Sequence, residues 1–391
     1  MSALLDEYQY DHEVIETKEM SFHVEHEGLM LGLKLCEKIV PRSGTIPILQ
    51  CIKFDLNGDT LFITAMDTGQ SILHMLKVEN EGKVNGSYLF PAKEGIELVK
   101  QLPRGRLTLT KKESTILFNY GKRGKANLRV LNPEEYPELP KMESTDIITV
   151  PADVLRKAAQ AAGFSSTDKG TPSLTGIHVF NHNGKLAFEG TDRHRIYRYV
   201  SDVCIVNQET FKDVIVPAEN FKHITKDIVE SLKSEQIELA ITSSYLILRN
   251  NHTVYFAGLT DGTFPELSNI FTLINKGKAV TLSRWELNDT LNRALSFDVS
   301  NNRVTLERNE EGEFILHTQS ENGELSEGFT NVDMEQEFPI SKLNGRYLRD
   351  ALLVLDRDVN NVTFRNSGDL MPCVLTADSD PSVVIIVNQV R

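Results

Sequence analysis

The chain has 391 residues, 40% of them apolar, and its 42 Lys and Arg against 55 Asp and Glu give a formal net charge of −13. The length allows two or three domains with sizeable cores, and the acidic total by itself argues against a protein that coats nucleic acid. No apolar run approaches the roughly 18 residues of a membrane span, and the acidic start MSALLDEYQYDHEVIETK has no apolar signal core, so a cytoplasmic protein is expected. The four cysteines form no CxxC pair and read as reduced thiols.

Residues 1–17 read as an acidic N-terminal extension. The segment EGLMLGLKLCEKIV then puts Leu29, Leu33, Cys36 and Val40 at helical spacing, with Lys34, Lys38 and Arg42 at steps of four on another face. CIKFDLNGDTLFIT alternates around Asn57-Gly58, a hairpin signal. FPAKEGIELVKQLP opens a helix on a proline and stops before another, and carries Lys93 and Lys100, with Arg104 following. RLTLTKKESTILFNY is a further hairpin. Four more elements follow this pattern: helices are expected at 151–169 (with Arg156, Lys157 and Lys169), 217–233 (with Lys222 and Lys226), 283–298 and 342–357 (with Arg346 and Arg349).

The chain also matches itself. GTIPILQCIKFDLNGDTLFITAMDT resembles GTPSLTGIHVFNHNGKLAFEGTD, and three landmarks (Thr45 and Thr171, Gly58 and Gly184, Pro91 and Pro217) are each 126 positions apart. YPEL at Tyr136 recurs as FPEL at Phe264, 128 positions on, and Gly312 lies 128 after Gly184. A constant offset across unrelated landmarks marks a repeat. The expected fold is α+β, three domains at 18–145, 146–275 and 276–391, each with two helices backed by antiparallel sheets. The six expected helices hold 18 basic and 14 acidic residues, net +4, which leaves −17 for the rest. A weakly positive helical lining inside a negative exterior suits a phosphate backbone held loosely.

In order along residues 18 to 391, GTIPILQCIKF, LRVLNPEEYPELP, LTGIHVF, EGTDRHRIY, VIVPAENF, GTFPEL and RYLRDALLVL resemble motifs of the bacterial DNA polymerase III beta subunits, the replicative sliding clamps. The resemblance implies a closed ring made by a head-to-tail homodimer, with duplex DNA encircled irrespective of its sequence and helices on the inside. The thirteen lysines and arginines at positions 34, 38, 42, 93, 100, 104, 156, 157, 169, 222, 226, 346 and 349 are then expected to face DNA. It also implies a processivity factor whose partners are the polymerase III alpha subunit, an ATP-driven clamp loader and other proteins carrying short clamp-binding peptides, each with a glutamine and apolar or aromatic anchors.

Residue by residue, the family's peptide pocket carries over to Leu174, Thr191, His194, Arg195 and Ile196. Pro265, Asn269 and Ile270 follow from FPELSNI, Leu370 and Pro372 from DLMPCVL, and Ile385, Ile386, Val387, Val390 and Arg391 from the terminus. Arg193 stands where the family has glycine, and Asn388 and Gln389 stand within its Met-Pro-Met-Arg-like ending. The dimer is expected to join Leu107 and Leu109 of RLTLT to Leu295 and Phe297 of the partner chain.

The alternative to a clamp is a cleft hydrolase or nuclease using Asp192, His194 and Arg195. It lacks support from any GxSxG, HExxH or P-loop spacing. His178 and His182 are four apart across a strand and turn, so no metal site is expected, and no cofactor.

Overall fold

The computed structural model describes residues 19–44, 46–141, 146–223, 229, 236–272, 276–297, 302–335 and 337–390. The expected extension 1–17, Lys226 and Arg391 lie outside these residues. Two compact units divide the chain, one of Met1–Asp153 with His223–Leu259, the other of Val154–Lys222 with Thr260–Arg391.

In the first unit a four-stranded antiparallel sheet runs Met20–Glu25, Arg106–Lys112, Thr115–Tyr120, Gly124–Arg129. An eight-stranded sheet runs Gly86–Pro91, Cys51–Asn57, Thr60–Met66, Gln70–Lys77, Thr253–Gly258, Tyr245–Arg249, Gln236–Ile241, Ile147–Pro151. The hairpin at Asn57-Gly58 forms as its sequence predicts, with Gly58 at φ +54°. Helices α1 (His26–Glu37) and α2 (Ala92–Gln101) pack together, and α1 also packs on the larger sheet. Gly32 makes that approach possible, because a Cβ there would sit 2.7 Å from Ile63 and 2.9 Å from His74.

The second unit repeats the plan. Its nine-stranded sheet runs Val214–Pro217, Gly176–His182, Lys185–Thr191, Arg195–Cys204, Asp380–Val387, Cys373–Ala377, Asn361–Asn366, Lys278–Ser283, Asp333–Met334. A four-stranded sheet runs Gly323–Gly328, Phe314–Ser320, Arg303–Arg308, Ser341–Asn344. The helices described are α3 (Ala152–Ala159), which starts at the end of the first unit, α4 (Ala218–His223), α5 (Ser268–Phe271), α6 (Arg284–Ala294) and α7 (Gly345–Leu353). Ser283 caps α6 by accepting from Glu286 N, and Asn344 caps α7 by accepting from Arg346 N and Tyr347 N. Strand pairing runs through the expected boundaries near 145 and 276, joining Gln70–Lys77 to Thr253–Gly258 and Arg195–Cys204 to Asp380–Val387.

The helices α1, α2, α3, α6 and α7 are shorter than the charge pattern suggested. α1 ends at Glu37, so Lys38 is its C-cap and Arg42 lies beyond it; α2 ends before Arg104. α3 passes into a 3-10 turn at Gln160–Gly163, leaving Lys169 in a loop. Residues 341–344 form a strand rather than the start of a helix. The short α5 lies outside the six expected helices.

Candidate partner-docking site and charged surfaces

The stretch GTDRHRIYRY forms the turn between two neighbouring strands of the nine-stranded sheet. Asp192 Oδ1 accepts from the backbone N–H of His194 and of Arg195, each at 3.0 Å, while Thr191 Oγ1 donates to Arg195 O and accepts from Arg193 N. Such self-bonded turns are what short polar side chains favour. Arg193 takes φ +74°, the left-handed conformation that suits the family's glycine.

The putting-together of an Asp192–His194 acid–base pair does not occur: the Asp192 carboxylate is spent on backbone amides and on Arg195 Nε at 2.9 Å, and the His194 ring stacks on Tyr347, centroids 6.0 Å apart. Arg195 in turn donates to Asp350 at 2.7 Å and to Gly163 O at 2.9 Å, and its guanidinium lies between the rings of Phe164 and Tyr347, 4.9 and 4.6 Å from their centroids. It is a structural strut. Beside it opens a polar cleft of about 430 Å³ lined by Ser165 to Asp168, Asp192 to Arg195 and Tyr347. Tyr347 is a residue the sequence reading missed, although RYLRDALLVL contains it.

On one face of the nine-stranded sheet an apolar cluster gathers Leu174, Ile196, Ile215, Phe264, Leu267, Phe271, Val374 and Ile386, with Ile270 and Val384 packed against it. Four of the expected pocket residues therefore meet: Leu174, Ile196, Ile270 and Ile386. Pro265, Asn269 and Leu370 are exposed, and Pro372 is half-buried. Leu370 is 63% exposed at φ +60°, a strained placement for a leucine.

Two further expected members face away from this cluster. Ile385 and Val387 pair with Tyr197 and Arg195, whereas Ile386 pairs with Ile196. Side chains alternate along a strand, so both point to the opposite face from Ile386 and are fully buried there.

The departing terminus is stitched down by amides. Asn388 donates from its side chain to Arg193 O and from its backbone to His194 O, both at 2.8 Å. Gln389 donates to Gly368 O and Met371 O and accepts from Lys342 N, and Val390 N donates to Lys342 O.

Of the expected DNA-facing cations, Lys34, Lys38, Arg42, Lys93, Lys100, Arg104, Arg156, Lys169, Lys222 and Arg346 are exposed, and Arg349 is half-buried. Lys100 and Arg104 lie 3.9 and 3.7 Å from Glu97 and Glu27, solvated pairs of little consequence. Lys157 is different. Its ammonium lies 2.8 Å from both Asp356 and Asp380, and although burial alone would lower its pKa, the two carboxylates outweigh that and hold it well above the usual lysine range. Its charge is already neutralised, so Lys157 is withdrawn from the DNA-facing set.

Leu107 and Leu109 are 1% and 0% exposed, in a strand flanked on both sides by others of its own sheet. They cannot offer a contact surface to a second chain. Leu295 and Phe297 are half-buried, and Phe297 sits against Gly323, where a Cβ would meet its ring at 3.2 Å. Gly323 begins an edge strand of the smaller sheet, Gly323–Gly328, with exposed Glu321 and Glu324 at its head. In the other unit the edge strand Gly124–Arg129 exposes Lys122, Arg123, Lys125 and Arg129.

Repeated sheet-and-helix units, exposed lysines and arginines on and just beyond the helices, and an apolar sheet-face cluster fit the class of DNA-clamp proteins. Two family descriptions match the chain: the N-terminal domain of the DNA polymerase III beta subunit over residues 20–140 and its central domain over residues 149–266. The chain belongs to the DNA polymerase III beta subunit family, the bacterial beta sliding clamps, and as such is a non-catalytic processivity factor. It is 24% identical over 382 residues to the beta sliding clamp of Bacillus subtilis, covering 95% of this chain and 100% of the relative. Among solved structures it resembles the beta subunit of Streptococcus pyogenes, with a TM-score of 0.87 at 20% identity over 95% and 100% of the two chains. The solved Bacillus subtilis clamp gives 0.85 at 23% identity over 96% and 100%. No helix among the described residues is long and apolar enough to cross a membrane.

Proposed function

We propose that two copies of the chain, each with three clamp domains near 18–145, 146–275 and 276–391, close head to tail into a ring around duplex DNA in the cytoplasm, and that polymerase, clamp loader and other partners dock by short segments on the apolar cluster around Leu174, Ile196 and Ile270. The observation that carries the ring is the pair of open edges of opposite sign. Gly124–Arg129 and the turn before it expose four cations and no acid, while the strand Gly323–Gly328 exposes Glu324 within it and Glu321 lies exposed just before it. An open strand edge invites pairing with another chain, and complementary charge selects which edge meets which. Phe297, beside Gly323, then flanks the joint, and Ala126 and Leu128, half-buried on the basic edge, take the place assigned to Leu107 and Leu109. Heterologous contacts of this kind form a ring when the rotation closes. The exposed cations from Lys34 to Arg346 suit loose contact with phosphates, while enclosure rather than adhesion retains the DNA.

The test reverses each edge. One variant carries Lys122→Glu, Lys125→Glu and Arg129→Glu; the other carries Glu321→Lys and Glu324→Lys. In a head-to-tail ring each variant alone repels itself at both joints, so sedimentation is expected to give single-chain mass at micromolar concentration. An equimolar mixture matches charges at both joints and regains the dimer. If either variant alone keeps the dimer mass, these edges do not form the joint.

A further inference from the structure

The segment from Phe264 to Phe271 crosses the face of the nine-stranded sheet and carries Pro265, Asn269 and Ile270 of the proposed docking cleft. Its own backbone hydrogen bonds are local, from Ile270 N to Leu267 O and onward from Thr272 N to Asn269 O, and among the described residues none ties positions 262–272 to the sheet. Side chains must hold it.

Beneath it lies a row of three polar residues on neighbouring strands, paired in register as His178 with Glu189 and Glu189 with Arg198. Arg198 approaches Glu189 Oε2 through Nε at 2.7 Å and Nη2 at 2.6 Å, while His178 Nδ1 lies 2.9 Å from Oε1. The ion pair is buried, with side chains 7% and 3% exposed. Apolar pairs would cost less to bury here, since taking both charges out of water offsets most of their attraction. What the charges do is stack. The Arg198 guanidinium lies 3.4 Å from the centroid of Phe271, and the His178 ring is sandwiched between Phe180 and Phe264 at 4.7 and 4.6 Å. Both aromatic ends of the crossing segment therefore rest on this polar row.

We propose that Arg198 is a positioning residue for partner docking: oriented by Glu189, it fixes Phe271 and so sets where Ile270 stands at the cleft. The proposal rests on the docking reading above and adds to it the residue that shapes the cleft without touching the partner. A guanidinium is needed because its flat fork can bond a carboxylate edge-on while presenting its face to a ring; an ammonium cannot do both.

The test uses the full-length protein, Arg198→Lys, and a synthetic peptide with a glutamine followed by leucine and phenylalanine anchors. Amide hydrogen exchange is followed at Ile270 and Thr272 and, as reference, along Lys185–Thr191 and Arg195–Cys204. Loss of a desolvated cation–π contact is expected to weaken the peptide about tenfold and to speed exchange at Ile270 and Thr272 only. Arg198→Met with Glu189→Leu removes the buried charges together and keeps the fold measurable if the lysine variant misfolds; the same two readouts are expected to move with it. Unchanged exchange at Ile270, or equal acceleration in the reference strands, overturns the proposal. A separate control decides the docking reading itself: if Leu174→Asp leaves peptide affinity unchanged, or the unaltered protein does not bind the peptide, that reading fails, while the exchange data still judge whether Arg198 holds the segment.

Discussion

At the scale of single residues, backbone proximity decides several outcomes that composition cannot. Gly190 opens the turn stretch, and a Cβ there would lie 2.3 Å from the carbonyl oxygen of Ala161 and 3.0 Å from Ser165 Oγ. A backbone oxygen cannot rotate away, so Gly190→Ala must push the 3-10 turn at Gln160–Gly163 off the sheet. That turn supplies the Gly163 carbonyl that receives Arg195. Calorimetry should find the variant destabilised by about 1–3 kcal/mol, the usual cost of overpacking; an unchanged midpoint would show that the turn yields freely. Lys157 teaches the converse lesson about reading charge. It stood among the cations expected to face DNA, yet Asp356 and Asp380, about 200 positions away, hold it. Long-range ion pairs leave no local trace in a sequence, and neither did the rings above Arg198.

Secondary-structure elements were legible where local chemistry governs them. The Asn57-Gly58 hairpin and the proline-started helix α2 stand where their sequences put them. Helix ends were misjudged because basic residues continue the stripe beyond the last helical turn, as at Lys38 and Arg42. Apolar alternation in Arg106–Lys112 shows that Leu107 and Leu109 are buried but not by what, and here the neighbouring strands of the same sheet bury them. The pocket roll from the terminus likewise ignored strand parity, which sends Ile385 and Val387 to the opposite face from Ile386. Element pairing also predicts acid behaviour. His74 sits in strand Gln70–Lys77 opposite Thr253 of the paired strand, its Nδ1 2.8 Å from Thr253 Oγ1, and burial first, then the neighbouring His252, lower its pKa from 6.5 to about 4. The unfolded chain binds this proton near pH 6.5 and the folded chain only near 4, so stability is full above 6.5 and falls as pH drops between the two. The loss by pH 4 is about 3 kcal/mol. His74→Gln should flatten that decline in urea titrations at stepped pH; an equally steep decline would assign the acid lability elsewhere.

For the whole molecule the net charge of −13 stops being an objection once retention and adhesion are separated. In the proposed ring, affinity for phosphates would come from a limited set of exposed cations, and each phosphate contact makes binding fall with salt, by roughly 0.9 in log–log slope per contact. A closed ring has a second barrier, the opening of its joints, and the two respond to salt in different ways. On a DNA circle loaded with the ring, release requires a joint to open, so the release rate should equal the rate at which the free dimer loses one joint, at every salt concentration. If the joint is the proposed one, salt enters there only by screening the basic edge around Lys125 from the acidic edge around Glu324, across a separation that direct strand pairing would keep short compared with the ~10 Å Debye length at 0.1 M. On linear DNA the ring can slide off an end, so its residence should be short and should lengthen when ends are blocked. Both rates can be followed by fluorescence of a labelled chain from 0.05 to 0.5 M salt. Residence on the circle that collapses faster with salt than the free dimer dissociates would mean that phosphate adhesion holds the protein on DNA, and enclosure would have to be abandoned.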